Sequence, residues 1–120
     1  MTYDQNNVFA KIIRGELPCN KVYEDEDILA FHDIIPKAPV HVLVIPKKEY
    51  VSFDDYSANA SPEEMSTFFR AIGKIARDLG VEEQGYRLIA NHRGYAGQEV
   101  EHFHVHILAG QPLGPMLMPQ

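Results

Sequence analysis

With 120 residues, 45% of them hydrophobic, the chain can fill one ordinary core and leaves no room for a second domain. Lys and Arg number 11 against 17 Asp and Glu, a formal charge of -6 that disfavours a nucleic-acid binder because no general basic surface exists. Cys19, the sole cysteine, excludes an internal disulfide and a Cys-rich zinc site and fits a reducing, cytoplasmic setting.

Residues 1–7 lack the basic and apolar regions of a secretory signal, and no apolar run approaches the ~20 residues of a membrane helix, so no membrane partner is expected. Val8, Phe9, Ile12 and Ile13 recur at helical spacing behind Asn6 and Asn7, and Gly15 with Pro18 closes that short helix. Lys21 to Glu24 and Ile28 to His32 read as a hairpin around the acidic turn 25–27. His41 to Ile45, ended by Pro46, reads as a central strand. The stretch from Lys47 to Ala60 is polar and is expected to be irregular.

Ser61-Pro62-Glu63-Glu64 is a capping box with proline at the first helical position. Met65, Phe68, Phe69, Ile72, Ile75, Ala76 and Leu79 then form an apolar stripe that reads as core, and Gly80 can end the helix in the left-handed region. Tyr86 to Asn91 is the next strand, His92 to Gly97 a loop with His92 in solvent, and Glu99 to Ala109 the last strand. The expectation is an α+β fold, a five-stranded antiparallel sheet with one long and one short helix. It comprises one domain over 1–120, with 110–120 as an apolar, aperiodic tail suited to docking on a partner subunit.

The chemistry concentrates at His102-Phe103-His104-Val105-His106. On a strand, alternate side chains share a face, so the three imidazoles line up while Phe103, Val105 and Ile107 pack behind them. Strand residues at i and i+2 are ~7 Å apart, within reach of one metal ion, so a zinc or iron hydrolase is one reading. The other is nucleophilic catalysis, since imidazole near neutral pH can attack phosphorus and form a covalent intermediate.

The His-φ-His-φ-His-φ-φ run, φ being apolar, resembles the signature of the histidine triad superfamily, in its Hint branch of purine nucleoside phosphoramidases. The likeness extends through residues 7–14, 30–34, 38–48 and 97–100, and Pro112 to Met116 resembles bacterial members. It implies a homodimer whose sheets join into one of ten strands. It also implies hydrolysis of nucleoside 5′-phosphoramidates, such as adenosine 5′-phosphoramidate, or of aminoacyl-adenylates, to the nucleoside monophosphate, with no metal or other cofactor. By that likeness His104 is the nucleophile, His106 and His102 bind or polarise the phosphate, and His41 and Asn91 sit near the phosphate or leaving group. Asp33 would accept both ribose hydroxyls, and Val8, Phe9, Ile12, Leu17, His32, Ile34 and Leu43 would line a purine slot. Glu99 and Val100 would complete the substrate site.

Read without the family, Asp33 is a turn-capping aspartate before Ile34-Ile35-Pro36, His41 a hydrogen-bonded strand-end histidine, and Phe9 and Ile12 core. Two departures stand out: Glu99 occupies a position that is serine in animal members, and Glu101 one that is often aromatic. Both carboxylates suggest a preference for cationic amine leaving groups. Competing functions are a diadenosine polyphosphate hydrolase or nucleotidyltransferase of the same superfamily, a metal-dependent hydrolase, and a non-enzymatic nucleotide-binding module.

Overall fold

The computed structural model describes residues 2–118. Five strands, β1 (Lys21–Glu24), β2 (Ile28–His32), β3 (Val40–Pro46), β4 (Arg87–Ile89) and β5 (Val105–Ala109), make one sheet in the order β1-β2-β3-β5-β4. Every neighbouring pair is antiparallel, so the expected α+β architecture is the one adopted.

Four helices accompany it: α1 (Val8–Ile13), α2 (Phe53–Asn59), α3 (Pro62–Asp78) and the single turn α4 (Arg93–Ala96). The capping box of α3 is complete, with Glu64 N–H donating to Ser61 Oγ at 3.0 Å and Ser61 N–H to Glu64 Oε1 at 3.1 Å. Asn7 caps α1 by accepting the Ala10 N–H at 2.8 Å. The stretch expected to be irregular holds α2, because Ser52 caps its start and Asp55 Oδ2 accepts the Val51 N–H at 2.8 Å. The loop expected at 92–97 contains α4, ended by Gly97 at φ +79.

Both faces of the sheet are covered, unequally. Ile28, Ala30, Val42, Val44, Phe103, Val105 and Ile107 pack against Phe68, Ile72 and Ile75 of α3. Phe69, assigned to the same stripe, is 52% exposed, because successive helical residues are ~100° apart and Phe68 takes the inward direction. On the other face, Phe9 of α1 covers Leu29, Phe31, Leu43 and Ile45. With 6 residues, α1 spans only ~9 Å, so the portion of this face over β5 and β4 is left open.

The last strand is shorter than the sequence suggests, beginning at Val105 and not at Glu99. The β3–β5 ladder runs from Val40↔Ala109 to Val44↔Val105, and two residues further along β3 stands Pro46, which has no N–H to offer. Phe103 N–H instead donates to Tyr50 O at 2.7 Å, and the Pro46 carbonyl is taken by a side chain of the triad. The alternation survives beyond the ladder: Phe103 is in the α3-side core while His102 and His104 lie beside Phe9. The tail runs back along the sheet edge, where Arg87 Nη2 donates to Gly114 O at 2.9 Å. The last two residues of the expected 110–120 tail lie outside the described residues.

Candidate active site

Each triad imidazole has a distinct set of partners, and those partners determine where its proton sits. His102 Nε2 is 2.6 Å from Pro46 O, and a carbonyl only accepts, so Nε2 carries the proton. Its Nδ1 then accepts from the Tyr3 hydroxyl at 2.6 Å. His104 Nδ1 is 2.6 Å from the His102 carbonyl, so the neutral ring holds its proton there and Nε2 is a bare lone pair. His41 Nδ1 accepts the Lys37 N–H at 3.0 Å, so its proton is on Nε2 and points to His106 Nδ1 at 2.8 Å. His106 in turn carries its proton on Nε2. The pair that results is one imidazole with an unprotonated nitrogen and one with an N–H, their ring centroids 5.1 Å apart.

Burial keeps these rings neutral. It is the largest cause in each case: His102 is lowered to about 4, His106 to about 4 with His104 and His41 adding repulsion, and His104 and His41 are lowered too. Asp33, whose Oδ2 is 3.4 Å from His41 Nε2, opposes the shift at His41, His104 and His106 without reversing it.

The open part of the sheet face is a cavity of about 580 Å³. His104, His106 and His41 lie along it with Asp33 and Asn91, and its apolar wall includes Val8, Phe9, Ile34, Leu43 and Val100. Phe9 stands edge-on to His104 at 5.0 Å, which fixes the ring plane from the α1 side.

Residues 14–113 match the HIT domain family. The chain belongs to this family. A 13.2 kDa HIT-like protein of Azospirillum brasilense is 57% identical over 116 residues, covering 97% of this chain and 95% of that protein. The purine nucleoside phosphoramidase of Escherichia coli K12 is 44% identical over 113 residues, 94% of either chain. Among solved structures, a HIT family hydrolase from Clostridium thermocellum superposes with a TM-score of 0.86 at 45% identity, over 96% of this chain and 99% of that one. A histidine triad protein from Clostridium difficile gives 0.84 at 43% identity, over 97% and 100%.

In this HIT protein the residues singled out from the sequence divide into two groups. Val8, Phe9, Asp33, Ile34, His41, Leu43, Asn91, Glu99, Val100, His104 and His106 share the cavity. Leu17, His32, Ile12 and His102 do not border it. Ile12 packs beneath Phe9 in the core of that face, and Leu17 is largely exposed after α1. His102 is wholly buried, with both ring nitrogens and its carbonyl already engaged. It therefore supports His104 from behind, without a free atom for phosphate.

Asp33 also performs the turn-capping task, its Oδ1 accepting the Ile35 N–H at 2.9 Å. Glu101 is exposed and away from the cavity, leaving Glu99 as the carboxylate beside it. Ile35, Lys37, Ile89, Gly97 and Leu108 also line the cavity and were not anticipated. Leu108 had a legible signal, since it continues the His104–His106 alternation, whereas Ile89 comes to the site only because β4 pairs with β5 opposite His106.

Among the described residues, one group of side chains has the donor types for a cation: Asp33, His41 and His106 each offer an atom within 4.8 Å of the others. Two imidazole nitrogens bound tetrahedrally to one zinc sit ~3.3 Å apart and both need lone pairs. His41 Nε2 and His106 Nδ1 lie 2.8 Å apart and share a proton, which is the geometry of a hydrogen bond.

Proposed function

We propose that this HIT protein hydrolyses purine nucleoside 5′-phosphoramidates such as adenosine 5′-phosphoramidate, and also aminoacyl-adenylates, through a nucleotidyl-His104 intermediate. The observation that carries the reading is the proton placement on His104: Nδ1–H is bound to the His102 carbonyl, so Nε2 presents a lone pair beside the cavity. The name of the Escherichia coli relative gives the substrate class its support.

In the first step His104 Nε2 forms a bond to the α-phosphorus as the bond opposite it breaks, P–N in a phosphoramidate and P–O to the carboxylate in an aminoacyl-adenylate. The leaving amine takes one proton from solvent, since the single proton of His41 is held against His106 Nδ1. The His106 Nε2–H donates to a phosphoryl oxygen and offsets charge that grows there. Water then attacks phosphorus, the P–Nε2 bond breaks, and the water proton returns to solvent. Asn91 adds a polar contact near the leaving group. Asp33 retains lone pairs for the two ribose hydroxyls, and the wall of Val8, Phe9, Ile34 and Leu43 takes the base by its faces, which favours purines without separating adenine from guanine. The protein would act as a homodimer whose sheets join along the free edge of β4, with the tail against the partner's site, and a monomer in sedimentation would rule that out.

The test is release of adenosine monophosphate from adenosine 5′-phosphoramidate by chelator-treated protein, beside His104→Ala. Turnover that survives chelation, and a variant that binds nucleotide without turning it over, is the expected result. Loss of activity on chelation would favour a metal reading centred on Asp33, His41 and His106. Nucleotide binding without turnover by either protein would make this a binding module.

A further inference from the structure

The proton on His104 is held by the carbonyl of His102, and His102 is held in turn by a residue from the other end of the chain. Tyr3 Oη is 2.6 Å from His102 Nδ1, a contact spanning 99 residues, with the two rings edge to face at 5.5 Å and 74°. Because Pro46 O claims the proton on Nε2, the phenol is the donor. The segment bearing Tyr3 is itself tied down: Asn6 N–H donates to Asp4 Oδ1 at 2.8 Å, Gln5 Nε2 to Glu49 Oε2 at 2.8 Å, and Arg14 Nη1 to Gln5 O at 2.9 Å.

His102 is completely buried and both its ring nitrogens and its carbonyl are partnered, so its tautomer, ring orientation and carbonyl direction are set together. Without the hydroxyl, Nδ1 is a buried lone pair with no donor. The ring gains a donor there only by admitting water beneath Phe9, or loses the lone pair by moving its proton to Nδ1, which withdraws Nε2–H from Pro46 O. Either change reaches the peptide whose carbonyl fixes His104.

We infer that Tyr3 is a positioning residue for the nucleophile: its hydroxyl locks His102 in the Nε2–H form, and the His102 carbonyl thereby keeps the His104 proton on Nδ1. The inference rests on the proposed phosphoramidase reading for its kinetic consequence and on ring chemistry alone for its spectroscopic one. Tyr3 does not line the cavity, so its hydroxyl makes no contact with substrate.

The experiment compares Tyr3→Phe, which keeps the ring and deletes the hydroxyl, with Tyr3→Ala, which deletes both. Imidazole 15N shifts are recorded on the resting protein, and kcat and KM on adenosine 5′-phosphoramidate. In wild type, His102 should show a hydrogen-bonded, unprotonated Nδ1 and a protonated Nε2. In Tyr3→Phe the Nδ1 signal should move to the free-nitrogen position or the two nitrogens should exchange character, and kcat should fall about tenfold with KM within about twofold, the scale of losing an outer partner of a reacting group. Unchanged His102 shifts in Tyr3→Phe overturn the inference, as do moved shifts with unchanged kcat. A kcat loss confined to Tyr3→Ala also overturns it, since ring packing alone would then matter. Absence of wild-type turnover defeats the functional reading and the kinetic part of this one together, while the shifts still decide whether Tyr3 sets the tautomer.

Discussion

Acidification should destabilise this fold well above the pH at which its carboxylates protonate. His102, fully buried, titrates near about 4 against 6.5 for the free side chain. Above pH 6.5 the folded and unfolded rings are both neutral and nothing is gained or lost. As pH falls through 6.5 the unfolded ring takes a proton that the folded ring refuses, so stability declines until pH passes about 4. From these two values the loss at pH 5 is about 2 kcal/mol for His102 alone, a large part of a typical stability of ~5–15 kcal/mol. His106 has the same direction and value, lowered to about 4, but it is partly exposed and should contribute less. His41 and His104 are lowered as well and add in the same sense. Glu24, held at about 2 by Lys21 and Lys47, keeps its contribution above its ordinary value of 4.5 and loses it as pH falls from there to about 2, so it barely enters a series that stops at pH 5. Urea unfolding at pH 8, 7, 6 and 5, with proton uptake on unfolding measured alongside, reads the effect directly. A midpoint that stays flat or rises from pH 8 to pH 5 would refute the claim that these rings are buried and neutral.

Two further outcomes follow from particular positions. Glu99 borders the cavity and acts electrostatically on His104, so Glu99→Gln should lower kcat/KM for a lysyl phosphoramidate by about fivefold relative to a neutral alkyl one, the scale of an exposed ion pair, while Glu101→Gln leaves that ratio alone. Equal ratios in wild type and Glu99→Gln would dismiss the ammonium preference. Gly110 has φ +100, and a Cβ there would stand 2.8 Å from Pro39 Cβ, so Gly110→Ala should cost about 2 kcal/mol or more in urea unfolding. Wild-type stability in that variant would mean the β5 exit can shift to make room.

Much of the fold was legible because its signals are local. Asn7 and Ser61 act as the caps their neighbours suggest, and the alternation at Phe103, Val105 and Ile107 places the histidines on the opposite face. The short α2 was not legible as a helix, since 7 residues with Asp54, Asp55, Ser57 and Asn59 look like a loop until Tyr56 is seen to be buried. The start of β5 is hidden for a different reason: the ladder stops short of Pro46 on another strand, and pairing partners are not visible along one stretch of sequence. The same holds for the site. Residue types and spacing announce imidazole chemistry, but which nitrogen of each ring bears the proton depends on Lys37, Pro46, Tyr3 and the His102 carbonyl, all fixed by tertiary contacts.

The brevity of α1 has a thermodynamic side. A helix one or two turns longer would have sealed the sheet face over Leu108 and Ile89, finishing the interior and abolishing the slot. As it stands, the protein folds with one layer of its interior missing, and under the proposed function a flat heterocycle would supply that layer. Occupancy would then be a continuation of folding: a ligand at a hundred times its dissociation constant adds ~2.7 kcal/mol to the native state, so resistance to unfolding would report how much of it surrounds the molecule.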